Sequence, residues 1–148
     1  MVERYLYRGK QLENGVWIIG YLVHDDLIRP VDSGCALGTF NMSTNGDFTC
    51  SVNRIDAKTI GQCTGMKDKI GTFIFEGDII QVNNDKCDDW KQSDNIHKVY
   101  WSKHWNSFAY NAINWICSTP LYKDYCKRVK VIDNIWDTPN YFAIKKDK

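Results

Sequence analysis

The chain has 148 residues, a formal net charge of +1, and 14% aromatic residues, with six Trp and eight Tyr. A chain of this length buries roughly 68–70% of its unfolded surface, so it folds as one domain or two small lobes with no need of a disulfide or metal. Its charge is evenly spread, with six Lys and Arg against seven Asp and Glu in residues 1–65 and thirteen against eleven in 66–148, which excludes the electrostatic footprint of a dedicated nucleic-acid binder.

The opening Met1-Val2-Glu3-Arg4 leads into alternating polar and aromatic residues, with no apolar leader. No stretch is long enough to cross a membrane as a helix. The expectation is therefore a cytoplasmic protein whose cysteines, at 35, 50, 63, 87, 117 and 126, stay as reduced thiols. Arg4 to Arg8 reads as a first strand. Asn14-Gly15 is a hairpin signal, and Val16 to Val23 is the pairing strand. Gly20 interrupts it at a bulge or a close backbone contact. Leu27-Ile28-Arg29 begins a short strand that Pro30 confines to an edge or an end. Asn45-Gly46 closes a hairpin between Leu37–Met42 and Phe48–Val52. Asp56-Ala57-Lys58 is a short polar connection with room for one helical turn.

The stretch Thr59 to Val82, TIGQCTGMKDKIGTFIFEGDIIQV, holds four of the ten glycines between short apolar runs. It reads as strand, turn, strand, tight turn, strand, a β-meander. Gly65 to Gly71 is a polar loop in which Asp68 is placed to bond nearby backbone, and the glycines supply positive φ. Phe73-Ile74-Phe75 is aromatic and β-branched, as a buried strand requires. Glu76-Gly77-Asp78 reverses or kinks the chain, and Ile79 to Val82 leaves as the next strand. Beyond it, Asn83 to Asn95 is a long charged loop. His97–Trp101 and Phe108–Ala112 form a further hairpin. Ser118-Thr119-Pro120 is a helix start, a hydroxyl N-cap with Pro at the first helical position, for a helix of about two turns ending near Lys127. Arg128 to Ile135 returns to strand, Asp137-Thr138-Pro139 ends it, and Lys145-Lys146-Asp147-Lys148 is a solvated tail.

The run Thr59-Ile60-Gly61-Gln62-Cys63-Thr64-Gly65-Met66-Lys67-Asp68-Lys69, with Gly71 and then Ile74-Phe75-Glu76-Gly77-Asp78-Ile79, closely resembles the signature of the YopX-like family of bacteriophage and prophage proteins. Trp17 to His24 is similar to that family's amino-terminal strand, and Val131 to Pro139 to its closing segment. Two positions depart from the pattern. Cys63 stands where an aromatic is usual, and Ile70 where Asn precedes the Gly. The resemblance implies a mainly β fold, with an antiparallel N-terminal β section (residues 1–64) followed by a small SH3-like barrel (65–148) carrying one short helix. It implies no reaction.

The residues themselves offer little chemistry. Zinc sites show Cys or His paired at short spacing, whereas the closest cysteines here, Cys117 and Cys126, are nine apart. Asn83 to Asp89 lacks the Gly and Glu that a calcium loop needs. Six Cys and three His give eighteen nucleophile–base combinations and hence no specificity. Glu76 and Asp78 flank a turn, where an Asp commonly holds backbone N–H groups. The one aromatic-basic cluster is His97, Trp101, His104 and Trp105, with Lys98 and Lys103. Trp101, His104 and Trp105 are its candidate partner-binding residues. No catalytic residue, metal or cofactor is expected. The functional expectation is a non-enzymatic phage or prophage accessory protein that binds a protein partner or itself. The alternatives are a nucleic-acid binder stacking bases on the Trp101–Trp105 hairpin and a Cys-dependent enzyme.

Overall fold

The computed structural model of the protein describes residues 3–24, 35–82, 95–112 and 118–141. The Leu27–Arg29 strand, the charged loop at 83–94 and the terminal lysines lie outside these residues. The chain divides into two compact units, Met1–Cys63 and Thr64–Lys148.

In the first unit a single 3-10 turn, Glu3–Tyr5, precedes strand β1 (Leu6–Lys10), so the opening strand starts later than Arg4. Antiparallel β2 (Trp17–His24), β3 (Cys35–Met42) and β4 (Phe48–Ile55) follow, each paired with the one before. The Asn14-Gly15 turn forms as expected. Gly15 takes φ 70, and the Asn14 Oδ1 accepts the Val16 amide at 2.9 Å. Gly20 meets the expected close contact, since a Cβ there would strike the Gly38 carbonyl oxygen on β3. The β3–β4 hairpin turns at Ser43–Asp47, with Gly46 at φ 86 and the Ser43 amide donating to the Asp47 carbonyl at 2.8 Å.

Residues directly opposite in an antiparallel pair share a face. Leu37 and Ile55 are fully buried on one face of this sheet, and Gly9 leaves room for the Ile55 side chain. Past β4, Asp56 caps a 3-10 turn, Ala57–Thr59, its carboxylate accepting the Lys58 amide at 3.0 Å. Thr59 Oγ1 donates to the Asp56 carbonyl and accepts the Lys10 amide, which fastens this turn to the end of β1. An isolated bridge, Gln11↔Ile55, and a bond from the Leu12 amide to the Arg54 carbonyl bring the end of β4 back to the β1–β2 turn. Strand β5 (Gly61–Lys67) pairs with β1 at Gly61 and Gln62 and runs on past Cys63 into the second unit. The hydrogen-bonded order is β4-β3-β2-β1-β5, with β6 (Phe73–Phe75) next to β5.

In the second unit, β7 (Asp78–Val82), β8 (Ile96–Ser102), β9 (Ser107–Ala112), β10 (Thr119–Pro120) and β11 (Val129–Asn134) form another antiparallel sheet, ordered β10-β9-β8-β7-β11. Ile74, Ile80, Val82, Val99, Leu121, Tyr125, Cys126 and Val129 make its core. Both sheets bear out the mainly β expectation, but three details differ from it. Among the described residues the second sheet is open, with β10 and β11 at its two ends unpaired with each other, and does not close into a barrel. Its outer strand β11 gives its free edge to a loop, the Lys69 amide bonding the Val129 carbonyl and Asp68 Oδ2 accepting the Val131 amide. The central strands occur in the expected succession, yet β6 and β7 do not pair as a meander. At Glu76-Gly77 the chain leaves one sheet for the other. The Gly77 amide bonds the Val99 carbonyl and Asp78 Oδ2 holds the Phe75 amide at 2.8 Å. Finally, Thr119–Pro120 is strand. The helix α1 is one turn, Lys123–Cys126, with Tyr122 at its N-cap and no side-chain cap. Pairing of Thr119 with Tyr110 and of the Leu121 amide with the Phe108 carbonyl overrides the local capping signal.

Candidate functional site

The β8–β9 hairpin carries the residues singled out from sequence. Its strands are in register from His97↔Ala112 to Ser102↔Ser107. The turn Lys103–Asn106 closes with Asn106 at φ 50, a left-handed conformation that Asn tolerates better than most residues. Ser102 Oγ accepts the Trp105 amide at 3.3 Å. The structure brings His104 and Trp105 together, ring centroids 4.9 Å apart and nearly perpendicular. Trp101 pairs instead with Phe108 across the hairpin, at 5.1 Å and 84°. Trp101 and Trp105 remain 43% and 45% exposed. The Trp105 indole N–H donates to Ser118, to both its carbonyl (3.2 Å) and its Oγ (3.1 Å). This ring is therefore oriented from within the fold while the residue stays partly exposed. His97, grouped with these in the sequence, lies elsewhere, edge-on to Tyr110 at 5.3 Å and near Tyr125.

The other candidate chemistries take structural places. Asp78 is fully buried and Asp68 is 5% exposed. Asp68 Oδ1 accepts the Ile70 and Thr72 amides and its Oδ2 the Val131 amide. Glu76 Oε1 accepts the Trp101 amide at 3.2 Å. Cys63 and Cys126 are buried and Cys50 is exposed. Burial pushes the Cys126 thiol up to about 11, away from the thiolate a nucleophile needs. Its sulfur rests 3.5 Å from the Met66 sulfur. Tyr125, stacked flat on Tyr110 at 4.1 Å, is raised too, chiefly by burial and then by Tyr110. Among the described residues no three His, Cys, Asp or Glu side chains are grouped to hold a metal ion.

One surface escaped the sequence reading. Ile19, Tyr21, Phe40, Phe48 and Val52 fall on one face of the β1–β4 sheet by the strand registers. Phe48 is 66% exposed, and Ile19, Phe40 and Val52 are also exposed. Phe40 lies stacked on Phe48 at 5.6 Å and tilted against Tyr21 at 5.8 Å. Trp17 shares this face, with the Arg8 guanidinium 4.9 Å and the Lys10 ammonium 5.5 Å from its ring centroid. The available signal was the apolar run from Val16 to Val23 and the period-two alternation at 48, 50 and 52, neither of which tells an outer face from a core face.

A family model described as YopX protein matches residues 7–143. The chain belongs to the YopX family. No curated protein matches it. Among solved structures it is similar to the crystal structure of protein EF1440 from Enterococcus faecalis, at 21% identity and a TM-score of 0.53, covering 92% of this chain and 96% of that one. At that identity the likeness speaks for the fold alone. In this YopX member the signature residues turn out to be framework. Thr64 Oγ1 donates to the Ile74 carbonyl and accepts the Met66 amide. Asp68 holds its loop, Gly71 takes φ 90, and Gly77, at φ 85, lies under the Trp136 ring. The two departures from the YopX pattern are tolerated for different reasons. Cys63 fills a fully buried position. Ile70 is exposed and has an ordinary negative φ, because Gly71 takes the left-handed position of the turn.

Proposed function

We propose that this YopX protein is a non-enzymatic accessory protein of a bacteriophage or prophage, acting in the host cytoplasm as a protein-interaction module that binds a protein partner or a second copy of itself. The observation that carries this reading is the outer face of the β1–β4 sheet, where Ile19, Phe40, Phe48 and Val52 stand exposed together. A contiguous apolar patch of this kind marks interaction surfaces more often than isolated exposed side chains do. Affinity capture from phage-infected or induced host cells, with and without nuclease, tests it. A protein that survives nuclease and is lost with the Phe40→Ser, Phe48→Ser double variant supports the module. Retention of every captured protein by that variant removes the face from the account.

A second reading rests on the exposed rings of Trp101 and Trp105 at the β8–β9 hairpin, beside Lys103. Aromatic rings next to cations bind single-stranded nucleic acid by stacking and phosphate neutralisation. This reading requires binding to single strands that falls steeply with salt and weakens in Trp105→Ala. A flat titration ends it.

A further inference from the structure

We propose that two copies of the chain associate through the outer edge of β4, pairing Phe48–Val52 of each antiparallel about a two-fold axis at Cys50. The proposal rests on the self-binding arm of the function above and names the surface that performs it. An edge strand presents unpaired N–H and C=O groups, and soluble proteins guard such edges with short strands, Pro, Lys, bulges or covering loops. The other described edges carry such guards. Strand β6 has three residues, and β10 has two, one of them Pro120. Strand β11 has a register shift between Val131 and Asp133 and is covered by Asp68 and Lys69. Strand β4 has eight residues in unbroken register with β3, and no Pro or Lys. Every residue from Phe48 to Val52 is exposed.

The free groups of β4 can be assigned. Backbone groups alternate between the two sides of a strand. The Arg54 carbonyl points away from β3, since it accepts the Leu12 amide, whereas the Ser51 carbonyl accepts the Thr39 hydroxyl from β3. Phe48, Cys50 and Val52 therefore turn their amides and carbonyls outward, and Arg54 is already engaged. A second copy matches these three residues when Phe48 faces Val52, Cys50 faces Cys50 and Val52 faces Phe48, each pair exchanging both of its bonds. Side chains agree with this register. It places an aromatic ring opposite a β-branched side chain twice on one face, and Thr49 opposite Ser51 twice on the other, both favourable cross-strand pairs. The paired stretch contains no charge. Asp47 of each copy falls opposite Asn53 of the other at either end.

Sedimentation velocity of the full chain across micromolar concentrations tests the proposal, with Val52→Pro and Val52→Lys as variants. The first removes an outward amide at the edge and the second places a charge in the pair. The expected result is a concentration-dependent dimer whose dissociation constant rises at least tenfold in either variant, with unchanged far-UV circular dichroism. Should Val52→Pro fail to fold, Val52→Lys decides. Register is read by mild oxidation in the Cys50→Ser background. Chains with Phe48→Cys cross-link to chains with Val52→Cys, and neither cross-links to itself, because facing α-carbons about 5.5 Å apart suit a disulfide. A dimer unaffected by both variants overturns the β4 pairing while leaving self-binding intact. A chain that stays monomeric overturns the pairing, and nuclease-resistant capture then shows separately whether the interaction module stands.

Discussion

Asp68 holds the amides of Ile70, Thr72 and Val131 at 2.9–3.0 Å while almost buried. Removing such a carboxylate strands several amides at once, so Asp68→Ala is expected to cost about 3 kcal/mol, and Asp68→Asn less, because an amide oxygen still accepts. Urea unfolding midpoints check both. The signature glycines separate in the same way. Gly71 is at φ 90 with open space around it, so Gly71→Ala costs about 1 kcal/mol of backbone strain. At Gly77 a methyl would also collide with the Trp136 ring, so Gly77→Ala costs distinctly more, by about 2 kcal/mol or above. Equal costs for the two would contradict the ring contact. Titration belongs to this scale too. Cys126 has a folded value of about 11 against an ordinary 9.0, and Tyr125 is raised above its ordinary 10.0. Both groups are neutral below these values, so their stabilising contribution is whole at pH 8. It falls once the unfolded thiol ionises above about pH 9 and continues falling toward pH 11. The urea midpoint should therefore decline across that window, and Cys126→Ala should lessen the decline between pH 9 and 10. Asp68 and the glycines were legible in the sequence as turn residues, because turn chemistry is local. The raised thiol was not, since burial is a property of what packs around it.

Among the elements, α1 depends most on its surroundings. A single turn without a side-chain cap has no stability of its own. Its place is set by Tyr125 and Cys126, buried against Leu121, Val129 and the Tyr110 ring. Tyr125→Ala is expected to cost about 3–5 kcal/mol and to abolish the near-UV dichroism of the stacked pair, whereas Thr119→Ala should cost less than the roughly 1 kcal/mol of a lost N-cap. A full capping penalty at Thr119 would argue that the helix begins there after all. Ser118-Thr119-Pro120 is a sound local signal that lost to pairing along β9. The hairpins at Asn14-Gly15 and Asn45-Gly46 face no such competition, and there local and tertiary preference coincide. The Glu76-Gly77 turn shows the intermediate case. Its residues announce a change of direction, but pairing with β8 and β11 decides that the chain moves to another sheet.

For the molecule as a whole, a net charge of +1 sets an expectation for how it associates. Contacts made by backbone bonds and apolar side chains are weakly screened. Self-association should change less than about threefold between low and half-molar salt, as sedimentation will show, whereas binding dominated by phosphate contacts falls by orders of magnitude. The sequence by itself determined the β-rich class, the places where the chain turns, the family, and the framework role of Asp68 and Asp78, because periodicity and turn chemistry are written within a few residues of one another. Only the tertiary structure decided that β6 and β7 belong to different sheets, that the second sheet stays open, that Trp105 is tethered to Ser118, and that Phe40 and Phe48 face outward. Those outcomes depend on which distant strand claims a given edge or face, and alternation along one strand is the same whichever side is buried.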